Sequence, residues 1–540
     1  MVAAFPPLAL LAAKGPLERT IEFALNNPFQ GIYQFNAFDL ALLIPYFTLL
    51  VILSIYGAHR YWLVYTYYKY RKNRQGEPAR RYDELPRVTV QLPLYNERFV
   101  VEQLLEKVCR LDYPRDRLEI QVLDDSTDET TSLARELVER YAALGEPITF
   151  IHRGNREGFK AGALANGLAH SSGELVAIFD ADFLPPPDFL HRTVHYFAEP
   201  QVGMVQTRWT YQNRGSSFLT QVEAILLDGH FVLDHGARAR SHRFFNFNGT
   251  AGLLRRAAIE DAGGWHYDTL TEDSDLSYRA QIKGWKFLYT PAIECPSELP
   301  EEISAFQVQQ ARWAKGLIQT GKKILPQLWR APLPLAVKIE AWFHLTSNIS
   351  YPIMLVFTAM MLPAMIVRFY HGWFQMLYID LPLFVASFCS VSSFYVVSQK
   401  ELYPERWKRT FLFVPFLMAT GIALTITNTQ AVLEALLGRQ SAFQRTAKYA
   451  SSDPAQRQSA GRQYRRRSRW LPWINLAIGT YFVWGTAHSF VMQNYFTVPF
   501  LMLFVLGYYY AGLLMLAQDY RERFAFLRGL LLRLHPHPAR

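Results

Sequence analysis

Six long apolar runs constrain this chain most strongly, because each approaches the length that a helix needs to cross a lipid bilayer. A helix rises about 1.5 Å per residue, so about 20 apolar residues span the hydrocarbon core. Composition agrees, since 50% of the 540 residues are hydrophobic and only 19% are charged. We therefore expect a multi-pass integral membrane protein. The runs lie at about 40–62, 346–367, 376–398, 411–437, 470–491 and 497–517.

The stretch between the first two runs has the polar character of a soluble domain. In it, short apolar segments that are typical of buried strands alternate with helical segments. Strands are expected at 88–92, 119–123, 148–152 and 175–179, and helices at 101–111, 130–143 and 160–169. This alternation predicts an α/β domain with a largely parallel sheet.

The chain therefore divides into three expected parts. Residues 1–70 hold an N-terminal segment and the first transmembrane helix, and residues 71–335 hold the α/β domain with interfacial helices. Residues 336–540 form an α-helical transmembrane region.

Basic residues predict the orientation of the helices, because cytoplasmic flanks are enriched in Lys and Arg. Four of them follow the first run directly: Lys69, Arg71, Lys72 and Arg74. The α/β domain is therefore expected in the cytoplasm. The loop 438–469 and the C-terminal tail are also basic, and they fall on the same side only if one later run does not span.

The run at 411–437 is the best candidate for a segment that does not span, since Asn428, Gln430 and Glu434 make its centre polar. We interpret 404–437 as interfacial or re-entrant and expect five spanning helices; six true spans remain the alternative. The net charge of +10 lies beside apolar helices, so membrane lipids are the expected partner and nucleic acid is not. The three cysteines are far apart, which predicts neither a disulfide framework nor a zinc site.

Two acidic segments follow predicted strands. Asp180 and Asp182 come directly after one strand, and alternation along extended backbone places both carboxylates on one face. Open α/β sheets bind ligands at this edge, and hard oxygen ligands suit Mg²⁺ or Mn²⁺ on a diphosphate. Asp124 and Asp125 follow another strand in the same way. An acidic pair can also simply solvate a loop, and a neighbouring Ser or Thr can cap the next helix.

Two further segments contain residues that suit the transfer of a chemical group from a donor to an acceptor. Glu272 and Asp273 follow Thr271, and paired carboxylates in a pocket can supply a general base. The same residues suit a helix N-terminus, and both interpretations can hold together. On a helix, Gln309, Arg312 and Trp313 share one face. Arg suits a diphosphate and Trp a sugar ring, although a helix on the membrane surface also favours Arg and Trp.

Together these segments match, in order and spacing, the pattern of processive family 2 glycosyltransferases. The chain resembles the cellulose synthase superfamily, and most closely the cellulose-synthase-like glucomannan and xyloglucan-backbone synthases and their bacterial relatives. The similarity runs from about residue 87 to 448. Further matching segments begin at Gln91, Gly158, Asp228 and Phe244, and 441–449 is similar to the gating loop of the family.

The resemblance implies a cytoplasmic GT-A (Rossmann-like) fold and a role for each matching residue. Asp273 would be the catalytic base with Glu272 beside it, and Asp180 and Asp182 would hold the metal. The implied acceptor-binding residues are Trp313, Phe247, Asn248 and Gly249. The implied donor-binding residues are Pro93, Tyr95, Glu97, Asp124, Asp125, Lys160, Asp180, Asp182, Gln309 and Arg312.

The expected enzyme is a membrane-embedded inverting hexosyltransferase in the inner or plasma membrane of a bacterium. It would use UDP-glucose or GDP-mannose to build a β-linked glucan or mannan. The alternative is a glycolipid synthase that adds one or a few sugars to a lipid such as diacylglycerol or ceramide. The sequence leaves the donor sugar, the linkage and the identity of the metal open.

Overall fold

The structure is a computed structural model that describes residues 34, 36–371, 381–439, 470–491, 495 and 497–534. The N-terminal residues 1–33 and almost all of the gating-type loop predicted at 438–469 lie outside the described residues.

Seven strands form one mixed sheet. They are β1 (Val88–Leu94), β2 (Leu118–Asp124), β3 (Ile148–His152), β4 (Leu175–Ile178), β5 (Val202–Tyr211), β6 (Gly252–Arg255) and β7 (Lys286–Ser297). Their order is β3-β2-β1-β4-β6-β5-β7. The β1–β2, β1–β4, β2–β3 and β5–β7 pairs are parallel, whereas β6 runs antiparallel to β4 and β5.

One long helix, α1 (Ala37–Lys69), precedes the sheet. Short helices connect and cover the strands: α2 (Val101–Cys109), α3 (Thr130–Ala143), α4 (Phe159–Ala169), α5 (Phe189–Val194), α6 (Phe218–Gly229), α7 (Gly236–Arg240), α8 (Arg256–Asp261) and α9 (Glu272–Ile282). A π-helical segment, His230–His235, joins α6 to α7.

The main core lies between the sheet and its helices. Residues of β1 are buried on both faces, and its two polar members find partners there: Thr89 donates to Glu119, and Gln91 donates to Gln121. Helix α2 packs one stripe onto this core, because Val101, Leu104, Leu105 and Val108 follow helical spacing and are fully buried. The predicted α/β domain with a largely parallel sheet is confirmed. The antiparallel strand β6 is not visible in local periodicity.

The remaining helices are long and mostly apolar. They are α10 (Ile303–Arg330), α11 (Leu335–Thr346), α12 (Ser350–His371), α13 (Leu381–Leu402), α14 (Thr410–Ala423), α15 (Thr425–Leu436), α16 (Leu471–Val491) and α17 (Val498–Leu534). Among the described residues, three helical stretches are long and apolar enough to cross a membrane: Ala37–Lys69, Leu335–Tyr370 and Val498–Tyr520. A multi-pass membrane protein is therefore supported, while the five-span topology and the three domain boundaries stay predictions.

The run predicted to be interfacial is a bent pair of helices. Trp407–Ala423 and Thr425–Leu436 meet at 43° and together would make a fourth span if they cross as one. Glu434 in this run has protein partners, since its carboxylate accepts from Lys315 Nζ at 2.8 Å and from Gln430 Nε2 at 3.0 Å. The ion pair with Lys315 of α10 explains why the Glu434 carboxylate is tolerated in an apolar run.

Gly316 allows α10 to lie directly against the start of α9. A Cβ added there would be 2.5 Å from Thr271 Cγ2 and 2.9 Å from the Thr271 backbone nitrogen. Any larger residue must therefore push these two helices apart.

We expect Gly316→Ala to destabilise the protein by about 1–3 kcal/mol, the usual cost of overpacking. The measurement is the thermal unfolding midpoint of purified protein in detergent at a fixed scan rate. Gly421→Ala is the control, because a Cβ at Gly421 meets nothing within 4 Å. An unchanged midpoint for Gly316→Ala would show that α10 is not packed this closely.

Candidate functional site

The carboxyl ends of β1, β2 and β4 open into one cleft of about 190 Å³. The chain order reverses between β1 and β4, which is where open α/β sheets leave a crevice for ligands. The cleft brings together all but two of the residues predicted for the site. Those that line it are Pro93, Tyr95, Glu97, Asp125, Lys160, Asp180, Asp182, Asn248, Gly249, Glu272, Asp273, Gln309, Arg312 and Trp313.

Asp124 and Phe247 are the two predicted residues that lie behind the cleft wall. Asp124 is fully buried, and its carboxylate contacts His152 Nδ1 at 2.8 Å and accepts from the Ser126 backbone N–H at 3.2 Å. Phe247 is also fully buried and belongs to an apolar cluster beneath the sheet. Of the predicted acidic pair, Asp125 alone therefore faces the cleft.

Lys160 joins two loops at the floor of the cleft. Its Nζ donates to the backbone oxygen of Gly249 at 2.9 Å and forms an ion pair with Asp180. Burial disfavours the ammonium, but the carboxylates of Asp180 and Glu272 outweigh it and raise the pKa of Lys160 above its ordinary value. The amine is therefore held charged beside the predicted metal ligand.

Asp273 lies in the first turn of α9 with its carboxylate in the cleft. Its Oδ1 accepts from the Ser274 backbone N–H at 2.7 Å. A helix N-terminus normally lowers a carboxyl pKa. Here burial, followed by the charge of Glu272, has the larger effect and raises the pKa of Asp273 to about 7. A carboxylate of this basicity is well matched to general-base chemistry near neutral pH.

Gly249 brings a backbone turn against Asp273. Its φ is +81°, and a Cβ placed on it would lie 2.9 Å from Asp273 Oδ2. Both the left-handed backbone and the close approach require glycine at this position. The loop is anchored to the neighbouring acidic segment as well, because the Asp180 backbone N–H donates to Thr250 Oγ1 at 2.9 Å.

Asn248 is held by residues that the sequence analysis missed. Its backbone N–H donates to Gln206 Oε1 at 2.9 Å, and its side chain contacts His230 at 3.2 Å and His235 at 3.0 Å. His230 and His235 belong to the π-helical segment, a geometry that is frequent at functional sites. The only sequence signal was the match that begins at Asp228, which named no role for either histidine.

Helix α10 places Gln309, Arg312 and Trp313 along the cleft, as the predicted helical face requires. Burial lowers the pKa of Arg312, while the nearby Glu272 and Asp180 carboxylates oppose this shift. An arginine stays charged under such conditions, so Arg312 offers the cleft a fixed cation.

A second, larger cavity of about 610 Å³ continues from the cleft between the apolar helices. Asp273, Asn248 and Trp313 line both cavities, together with Trp209, Leu227 and Thr271. The predicted base Asp273 and two of the predicted acceptor residues, Asn248 and Trp313, therefore stand at the junction of a polar cleft and a cavity that enters the membrane region.

Another group in the described chain has the spacing of metal ligands but already surrounds a cation. His266, Asp268 and Asp275 lie close together. The amine of Lys323 is 2.9 Å from His266, 2.8 Å from Asp268 and 3.0 Å from Asp275. The arrangement is therefore a lysine ion-pair cluster and does not support a metal site.

The family described as "Glycosyltransferase like family 2" matches residues 86–316, which contain the sheet and all residues that line the 190 Å³ cleft. This segment is therefore that of a family 2 glycosyltransferase. The match and the sheet order confirm the predicted GT-A fold.

The chain is also similar to plant enzymes of this family. It is 40% identical over 288 residues to glucomannan 4-beta-mannosyltransferase 7 of Arabidopsis thaliana, covering 52% of each protein. It is 43% identical over 269 residues to glucomannan 4-beta-mannosyltransferase 2 of the same plant, covering 48% of this chain and 50% of the relative. The chain thus spans about half the length of these curated relatives. They are plant proteins, so they do not support the predicted bacterial source.

Among solved structures, the chain is similar to the mannosyltransferase PcManGT of Pyrobaculum calidifontis, in complex with GDP-Man and Mn²⁺. The identity is 26%, and the TM-score is 0.47. The match covers 66% of this chain and 99% of the other.

The raised pKa of Asp273 predicts a pH dependence for catalysis. Because the protonated carboxyl cannot accept a proton, kcat/KM should fall about tenfold per pH unit below pH about 7 and level off above it.

Asp273→Asn should lower kcat by about 10²–10⁴-fold while donor binding is retained. Turnover within about threefold of wild type, which is far smaller than general-base loss causes, would remove Asp273 from the mechanism.

Proposed function

We propose that this protein is a membrane-embedded inverting mannosyltransferase that uses GDP-mannose to extend a β-(1→4)-linked mannan-type polysaccharide. The similar plant enzymes are named glucomannan 4-beta-mannosyltransferases, which favours mannose among the donors expected from the sequence. The observation that carries the proposal is the position of Asp273 at the junction of the donor cleft and the membrane cavity. A base at this place can meet an acceptor that arrives from one side and a donor from the other.

In the proposed reaction, Asp273 takes the proton from the acceptor hydroxyl. The hydroxyl oxygen then attacks C1 of mannose from the face opposite the nucleoside diphosphate. The C1–O bond to the diphosphate breaks and the α-linked donor yields a β-linkage. Negative charge develops on the leaving diphosphate, where the cations Lys160 and Arg312 stabilise it.

Asp180 and Asp182 have the donor set that Mg²⁺ or Mn²⁺ prefers. Both offer carboxylate oxygens to the same cleft, and Asp180 already binds the cationic amine of Lys160. When bound, a divalent ion would act as a Lewis acid on the diphosphate.

The membrane cavity also favours a second candidate function. Its walls within the helices are largely aliphatic or sulfur-containing, and they include Leu50, Leu53, Met354, Met361, Leu417 and Ile422. Such walls suit a lipid chain, as a glycolipid synthase requires. Arg60, Asn348 and Arg368 add polar groups along the same cavity, and these suit a sugar chain. The polymer remains the preferred product because the similar enzymes make a polysaccharide by name.

We also propose that the catalytic part faces the cytoplasm and that five helices span the membrane. The basic residues Arg71, Lys72 and Arg74 directly follow α1, on the side where the catalytic part begins. Nucleotide sugars then reach the cleft from the cytoplasm.

The function is tested by incubating membranes that contain the protein with labelled GDP-mannose or UDP-glucose. We expect incorporation from GDP-mannose into material that a β-1,4-mannanase releases and that organic solvent does not extract. Membranes with Asp273→Asn are the control for background enzymes. Label from UDP-glucose alone would contradict the mannosyl donor, and solvent-extractable label would instead support the glycolipid function.

The metal is tested with Asp182→Ala. Loss of one carboxylate should weaken donor binding and make it insensitive to Mg²⁺ or Mn²⁺ in a titration. Asp268→Ala removes an acidic residue from the Lys323 cluster instead, so its metal dependence should match wild type. If Asp182→Ala keeps the wild-type metal dependence, Asp182 is not a ligand.

A further inference from the structure

Arg156 lies over aromatic side chains in the wall of the donor cleft. Its guanidinium carbon is 3.3 Å from the centroid of the Tyr95 ring and 5.0 Å from that of Phe159. Arg156 lines the cleft together with Tyr95 and Asp125, two of the residues predicted to bind the donor. At so short a distance the guanidinium must lie over the face of the Tyr95 ring.

The loop between β3 and α4 and the first turn of α4 place two cations, Arg156 and Lys160, in different parts of the cleft. Lys160 turns to Asp180 and to the Gly249 backbone oxygen, at the diphosphate end. Arg156, four residues earlier, turns to Tyr95 instead. The backbone between Arg156 and Lys160 turns the two side chains in different directions, because Gly158 and Phe159 both have positive φ, +71° and +50°. Arg156 is thereby separated from the phosphate-binding cation.

The neighbouring carboxylate is already engaged. Arg153 Nε donates to Asp125 Oδ1 at 2.7 Å, and its Nη2 forms an ion pair with Oδ2. One guanidinium thus binds both oxygens of Asp125, in the two-pronged geometry that fixes a carboxylate most firmly. Because both oxygens of Asp125 are occupied by Arg153, Asp125 is less able to distinguish one nucleobase from another. Arg156, the second arginine of the loop, is better placed to do so.

We propose that Arg156 selects guanine as the base of the nucleotide donor. A guanidinium donates two parallel N–H bonds, and guanine offers the O6 and N7 acceptors side by side on one edge. Uracil has no such pair of adjacent acceptors. This inference rests on the proposed function, in which the donor is GDP-mannose, and it adds the residue that distinguishes that donor from UDP-glucose.

The test is equilibrium binding of GDP, UDP and 7-deaza-GDP to the full-length protein in detergent. Wild type should bind GDP more tightly than UDP, and 7-deaza-GDP, which lacks only the N7 acceptor, should bind more weakly than GDP. Arg156→Gln should weaken GDP binding by about 5–150-fold, the range for one bidentate base contact, and leave UDP nearly unchanged. Arg156→Lys should lose most of the same preference, because an ammonium keeps the charge without the fork.

Arg135→Gln is the matched control. Arg135 also stacks on an aromatic ring, with its guanidinium carbon 4.7 Å from the Phe150 centroid, but neither residue lines the cleft. Its nucleotide affinities should match wild type. Thermal unfolding of each variant checks that the fold is retained. The affinities for GDP and UDP are measured on the same preparation, so that their ratio does not depend on the fraction of protein that is folded.

The outcomes separate this inference from the proposed function. If wild type prefers GDP and Arg156→Gln keeps that preference, Arg156 does not read the base, although the mannosyl donor stands. Equal weakening of GDP and UDP would overturn the inference in favour of a contact common to both nucleotides. Equal affinity for GDP and 7-deaza-GDP would exclude the N7 contact. A wild-type preference for UDP would overturn the donor in the proposed function, and this inference with it.

Discussion

The close approach of the Gly249 backbone to the Asp273 carboxylate is the constraint on which the site depends. Only glycine fits there, since its φ is +81° and a Cβ would lie 2.9 Å from Asp273 Oδ2. The same turn presents its carbonyl to Lys160, which in turn binds Asp180. One small residue therefore sets the positions of the proposed base Asp273, the cation Lys160 and the proposed metal ligand Asp180 relative to one another.

The sequence was sufficient to predict those features of the fold and of the cleft that depend on a local residue pattern. Buried strands, amphipathic helices and acidic residues at strand ends all have short-range signals, and the sheet and cleft contain them as expected. Contacts between segments that are distant in the chain could not be predicted, because no short-range sequence pattern indicates them. Gln206 holds Asn248 from another strand, and the buried position of Asp124 depends on its pairing with His152. Local spacing could not separate Asp124 from Asp125, because the two are adjacent and only the fold turns one inward.

Electrostatics explains why a divalent ion suits this cleft. The proposed diphosphate end of the cleft holds the carboxylates of Asp180, Asp182, Glu272 and Asp273 and the cations Lys160 and Arg312. A diphosphate adds further negative charge, and repulsion between like charges is strong where water is partly excluded. Burial already raises the pKa of Glu272 and Asp273, so the cleft itself resists more anionic charge. A bound dication would offset the donor's charge and also favour the ionised form of Asp273.

The junction between the two cavities matters because water competes with any acceptor hydroxyl. Trp313 and Trp209 line both the cleft and the membrane cavity, and Leu227 lies with them. Large apolar side chains at this position limit the room for water, whereas a sugar ring can pack its apolar face against an indole. An acceptor that fills the junction from the membrane side would thus place its hydroxyl beside Asp273 and displace the water that could hydrolyse the donor. The same geometry serves a polymer or a glycolipid, so the walls deeper in the membrane, and not the catalytic residues, must distinguish the two products.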